Sequence, residues 1–324
     1  MKSRNIGIDI IKLLAAFLVI LLHTQVNYFD ESSFTLNYSL RSALFYMIRY
    51  ISMCCVPLFL MSTGFLQCRK SLSAEFYIKI KSVLIPYFTI TAAGEVFLHA
   101  SGRHCEDFKE LIYAFLGYSS NDYSWYIAMF IGLYVIIPFL NTLWNALDRR
   151  HKLYLLIILV TLTVLPSVQS LPGIPKILPE FWCGAYPITY YYTGAYIREF
   201  KPGRNLALLP AAVFMPLCMQ YAVSGNGRYV WYVMNGFNSV SAYTISLLIF
   251  VLLYEKKRPK LKIIGRLSAM SLYIYLVSFY TDRLIWEVFS HRPSLHAILV
   301  QSLLIYALSC AVSAVFYMIL KRII

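Results

Sequence analysis

Apolar residues along this chain come in runs of about twenty, and the runs recur from one end to the other with short polar connections between them. About twenty residues in α-helix rise roughly 30 Å, the thickness of a bilayer's hydrocarbon core. The pattern predicts an all-α, polytopic membrane protein with ten spans, at 6–26, 43–66, 78–99, 124–146, 153–170, 181–197, 205–223, 236–254, 265–289 and 296–319. Residues 1–324 read as a single transmembrane domain with no soluble catalytic module attached. The first run has a basic flank, as a signal peptide would. It is long, however, carries Asp9, Lys12 and His23, and is followed by no small-residue cleavage site before Asp30 and Glu31, so it is read as the first span.

Composition agrees with that pattern: 59% of residues are hydrophobic, 14% are charged, and the mean hydropathy is +0.63. Such a chain has too few polar residues to solvate a globule of its size. Charge supplies the direction. The alternate connections at Met1 to Arg4, Arg69 to Lys81, Asp148 to Lys152, Arg198 to Arg204, Glu255 to Arg266 and Lys321 to Arg322, together with Lys12, hold 21 of the 29 Lys+Arg. The positive-inside rule then places both termini in the cytoplasm, N-in and C-in, with the chain multi-pass in a cell membrane, expected to be a bacterial plasma membrane. The net charge of +14 lies mainly on the inner side, where anionic headgroups account for it, so a nucleic-acid partner is not needed to explain a pI near 9.4. The densest basic run, Glu255 to Lys262 leading to Arg266, also suits a donor that carries pyrophosphate.

Seven cysteines lack any Cys/His metal spacing, so no metal site is expected. Cys105 and Cys183 are the two that the topology places near the outer surface, where a single disulfide could join them. The 27 tyrosines include clusters at Tyr190 to Tyr192 and Tyr229 to Tyr232 near predicted span ends, which reads as an interfacial belt. No internal repeat suggests the inverted halves of a secondary transporter.

Ionisable residues inside a span are costly and point to function, and the first span has three. At about 100° per residue, His23 lies roughly 20° past whole turns from Lys12 and roughly 40° short of them from Asp9, so all three share one face. The rise from Lys12 to His23 is about 16 Å. Imidazole exchanges protons near neutral pH and suits a general base. Asp9 and Lys12, three residues apart, can pair and so ease their burial. A plainer reading remains open, in which His23 is hydrogen-bonded between helices and Lys12 snorkels to the headgroups.

The order of short motifs along the chain resembles that of the acyltransferase-3 family of integral-membrane O-acyltransferases. The run from Arg4 through Asp9 and Lys12 to His23 is similar to the family's first helix, with lysine standing where the family usually has arginine. Val56-Pro57-Leu58-Phe59-Leu60-Met61-Ser62-Thr63-Gly64 resembles its second-span motif. Lys79, Lys81 and Pro86-Tyr87, then Trp125-Tyr126 and Pro138, then Gly194 with Arg198, and finally Gly265 and Ser271-Leu272-Tyr273-Ile274-Tyr275-Leu276 follow in the family's order. Ser124 and Ser278 stand where many members have histidine.

That resemblance implies transfer of an acyl group, usually acetyl from the co-substrate acetyl-CoA, to a hydroxyl of a carbohydrate or another cell-envelope acceptor. On it, the CoA phosphates meet Lys12, Lys79, Lys81, Lys262 and Arg266. His23 is the catalytic base, Asp9 holds Lys12, and a hydroxyl from Thr63, Ser124 or Ser278 helps to orient the acceptor. Glu95, Asp122, Trp125, Asp282, Arg283 and Glu287 lie toward the outside. Of these, Glu95, Trp125 and Asp282 are the acceptor-binding candidates. A transporter or flippase that moves a small solute without covalent chemistry, and a non-catalytic sensor, are the alternatives.

Overall fold

The computed structural model describes residues 5–28, 39–102, 108–119, 121–205, 207–224, 235–255, 262–289 and 294–323. Cys105, the basic residues 256–260 and Tyr229 to Tyr232 lie outside these, as does the side chain of Glu287. No disulfide joins the other six cysteines.

The described residues are mainly helical, with no strand among them. Helix α1 (Ile6–Asn27) starts where the Asn5 side chain accepts hydrogen bonds from the Gly7 and Ile8 amides, which would otherwise lack partners at a helix start. Helices α2 (Leu40–Ser52) and α3 (Cys55–Gln67) run on almost continuously and cover 28 residues together. A Ser73 cap opens α4 (Ala74–Ile78), which leads into α5 (Lys81–Ala100). Next come α6 (Phe108–Leu116), α7 (Ser124–Ala146) and α8 (Arg149–Thr163), the last capped by Asp148. Two short 3-10 turns, at Leu165–Ser170 and Glu180–Ala185, lead to α9 (Tyr186–Phe200). The chain closes with α10 (Leu208–Ser224), α11 (Val240–Leu253), α12 (Lys262–Ala269), α13 (Ser271–Phe289) and α14 (Leu295–Leu320).

Among the described residues, six helices are long and apolar enough to cross a membrane, and α12 with α13, bent by 65°, makes a seventh if counted as one span. The other three predicted spans, 181–197, 205–223 and 236–254, fold as α9, α10 and α11, of 15, 17 and 14 residues. At 1.5 Å per residue the described parts of these helices rise about 21–26 Å, short of a full hydrocarbon core. The run at 181–197 looked longer because its first residues form a 3-10 turn rather than helix. Hydropathy registers apolar composition and is blind to such breaks.

Helix α1 sits at the centre, packed against α2, α3, α11, α12, α13 and α14. The tightest crossing is α3 against α9: a Cβ on Gly64 would lie 1.8 Å from the Tyr191 carbonyl oxygen, and one on Gly194 would lie 2.0 Å from that of Met61. Only glycine on both helices permits this approach, the close small-residue packing typical of membrane helices. The same contact corrects the interfacial reading of Tyr190 to Tyr192. All three are buried, and their hydroxyls donate to the Phe237 carbonyl, Asn141 Oδ1 and the Leu140 carbonyl at 2.6, 2.7 and 2.9 Å. They bind helices together because each phenol finds a partner inside the bundle.

Candidate active site

Two cavities open at different heights along α1. The first, of about 680 Å³, contains Lys12 and is completed by Arg69, Lys70 and Lys79 with hydroxyl groups from Thr63, Ser71 and Ser82. Its basic rim is fixed by a buried amide. Asn141 of α7 donates to the Gln67 and Lys70 carbonyls at 2.9 and 2.7 Å while accepting from Tyr191, and so holds the turn after α3 that carries Arg69 and Lys70. Tyr134 does the same for α4, donating to the Phe76 carbonyl at 2.6 Å with its ring stacked on Phe76. Lys79 pairs with Glu75 at the exposed edge. Three lysines and an arginine around one concavity offer point charges and a planar fork to an anionic ligand of phosphate type.

The second cavity, of about 540 Å³, contains His23 with Asn27, Asp122, Tyr123, Asp282, Arg283 and Trp286. The half-buried His23 ring lies over Tyr123, centroids 4.0 Å apart at 32°, and no hydrogen bond among the described residues engages its imidazole. Tyr123 is itself held: its amide donates to Asn121 Oδ1 at 3.0 Å, and its carbonyl accepts from the Tyr275 hydroxyl. One turn beyond His23, Asn27 donates to Asp282 Oδ2 at 2.7 Å. An imidazole oriented by stacking at the wall of a cavity can take a proton from a bound hydroxyl.

Aromatic rings separate the two spaces. Tyr126 and Tyr275 line the first cavity and Tyr123 the second, with Tyr275 centred 5.3 Å from Tyr126 and 5.7 Å from Tyr123.

The structure thus gathers Lys12 and Lys79 in one cavity and His23 and Asp282 in the other. Asp9 is buried, lines neither cavity, and accepts from the Ser268 hydroxyl at 2.8 Å, which ties α1 to α12. Lys262 and Arg266 are exposed on α12, Lys81 is exposed at the start of α5, and none of the three lines either cavity. Glu95 is buried away from both and accepts from the Tyr280 hydroxyl at 3.0 Å. Trp125 points outward, 39% exposed, and stacks on Phe237. Ser124 and Ser278 are buried outside the cavities. Thr63 lines the first cavity, where its hydroxyl donates back to the Phe59 carbonyl at 2.9 Å.

Three residues were missed from the sequence. Arg69 and Lys70 belong to a connection whose basicity topology already explains. Arg49 is buried in α2, donates to Asn235 Oδ1 at 3.2 Å, and lies within electrostatic reach of His23. Its signal was present: it is an arginine inside the apolar run 43–66.

Apolar helices of membrane-crossing length, with separate polar cavities along one of them, define a multi-pass membrane protein. The chain matches the family model of the acyltransferase-3 domain over residues 5–322, essentially its whole length, and belongs to that family of acyltransferases. No match appears among curated proteins or among solved structures.

Proposed function

We propose that the protein transfers an acetyl group from cytoplasmic acetyl-CoA to a hydroxyl of a carbohydrate or other envelope acceptor on the opposite side of the membrane. The observation that carries this reading is the division of α1 between two cavities, a basic one at Lys12 and a second at His23, roughly 16 Å apart along the helix. With the N-terminus in the cytoplasm, as the charge of the connections favours, the basic cavity faces the donor. Lys12, Arg69, Lys70 and Lys79 bind the CoA phosphates. The pantetheine arm runs along α1 toward the tyrosines, carrying the thioester to the His23 end.

His23 removes the proton from the acceptor hydroxyl as its oxygen attacks the thioester carbonyl. The C–O bond forms, the C–S bond breaks, and CoA leaves as a thiolate that takes up a proton. Asp282, anchored by Asn27, receives hydrogen bonds from the acceptor. Asp9 fixes the start of α1 against α12 and so sets the position of Lys12.

The test uses purified protein in nanodiscs with radiolabelled acetyl-CoA, comparing wild type with His23→Ala. Label should leave CoA with wild type and stay on it with the variant. Transfer that survives the substitution would remove His23 from the chemistry, and an absence of acetyl-CoA binding by wild type would overturn the donor assignment.

A further inference from the structure

Asp282 is 93% buried by its 7% exposure, lines the second cavity, and uses only half of its carboxylate: Oδ2 accepts from Asn27, while Oδ1 accepts no hydrogen bond among the described residues. A buried carboxylate oxygen left in that condition is costly, and it gains most from a ligand that brings a donor. A second carboxylate, Asp122, borders the same space. Arg283 is the cation among the lining residues. It is exposed, and its guanidinium lies over the Phe279 ring, 4.5 Å from the centroid. Arg49 is bonded to Asn235 and does not line the cavity. The walls formed by Leu98, Phe279 and Trp286 are apolar and suit the C–H face of a ring.

We infer that the acceptor is a neutral or amino-bearing polyol that presents a hydroxyl or ammonium donor to Asp282 Oδ1, and that acceptors with an anionic group beside the reactive hydroxyl are rejected. The inference rests on reading this cavity as the acceptor site and adds to it a substrate class and a specificity-determining residue. A carboxylate or phosphate placed against Asp282 would meet a like charge where little water screens it.

Trp286 allows the test to be made without catalysis. Protein in nanodiscs is titrated with the methyl glycosides of a hexose, of its 2-amino derivative and of its uronic acid, and fluorescence is followed with Trp286→Phe as the reference that isolates the cavity signal. The hexose and the amino sugar should bind at least about tenfold more tightly than the uronate, the scale of one like-charge contact. In Asp282→Asn, which keeps the side-chain shape, that gap should close to within about threefold as the charge is lost. The inference is overturned if the uronate binds wild type as tightly as the hexose, if Asp282→Asn leaves the ranking intact, or if none of the three perturbs Trp286. Because acyl-CoA is absent, a failure here is separate from a failure of acetyl transfer, which the radiolabel assay reads alone.

Discussion

Two charged regions of this molecule, each built around a buried charged side chain, look alike in composition and differ in how their bonding capacity is used. Around Lys152, the ammonium donates to both oxygens of Glu199 at 2.9 and 3.1 Å and lies over the Trp144 ring, whose Nε1 donates to the same carboxylate at 3.0 Å. That knot joins α8, α7 and α9 and leaves nothing for a ligand. In the second cavity, Asp282 has one buried oxygen that accepts no hydrogen bond, and the His23 imidazole is stacked without one, among the described residues. Burial of charge alone therefore does not mark a functional site. Unused donor and acceptor capacity next to a cavity is the better pointer, since a group already satisfied by the protein gains little from a ligand.

Substitutions can break either side of this contrast. The largest effect is expected at His23→Ala, where loss of a general base lowers the transfer rate about 10²–10⁴-fold while the melting temperature in detergent stays near that of wild type. Lys12→Ala comes next. Removal of a charged contact to the donor should raise KM for acetyl-CoA about tenfold or more with kcat little changed, and Lys12→Arg should restore it. On the structural side, Glu199→Ala strands the Lys152 ammonium and should cost about 1–3 kcal/mol, less than for a fully enclosed pair because the Glu199 side chain is 39% exposed. Thermal unfolding would report this, and activity below the transition should be retained. Lys152→Met should cost less, because it removes the charge that needs a partner. The smallest effect is expected at Lys79→Ala: the lysine is exposed and already paired with Glu75, so KM should rise only about twofold. A large stability loss at His23, or a large loss of turnover at Glu199, would erase the distinction between the two regions.

Much of the architecture is legible in the chain because membrane spans must bond their own backbones and so announce themselves as long apolar runs. The helix carrying Asp9, Lys12 and His23 is legible for the same reason, with its rotation fixed by 3.6 residues per turn. Gly64 and Gly194, read only as members of motifs, prove to be the two sides of one helix crossing. Other features depend on tertiary geometry that periodicity does not encode. Trp125 and Tyr126 are adjacent on α7, yet the first faces outward and the second lines the basic cavity. Lys262 and Arg266 matched a phosphate-binding composition but sit on the exposed side of α12, whereas Arg69 and Lys70 reach the cavity because Asn141, far along the chain, fastens their turn. The shortness of α9 and α11 also escaped composition, since an apolar turn and an apolar helix have the same hydropathy.

The layer formed by Tyr123, Tyr126 and Tyr275 has an electrical consequence. A protein hollowed from both ends is one breach away from being an ion leak, and a continuous water column along α1 would discharge the gradient that the surrounding membrane maintains. Tyr275 packs against both Tyr123 and Tyr126, so a layer of phenol rings stands between the two hollows and opposes the passage of a hydrated ion. On the acetyl-transfer proposal, the seal and the route of transfer are the same three side chains.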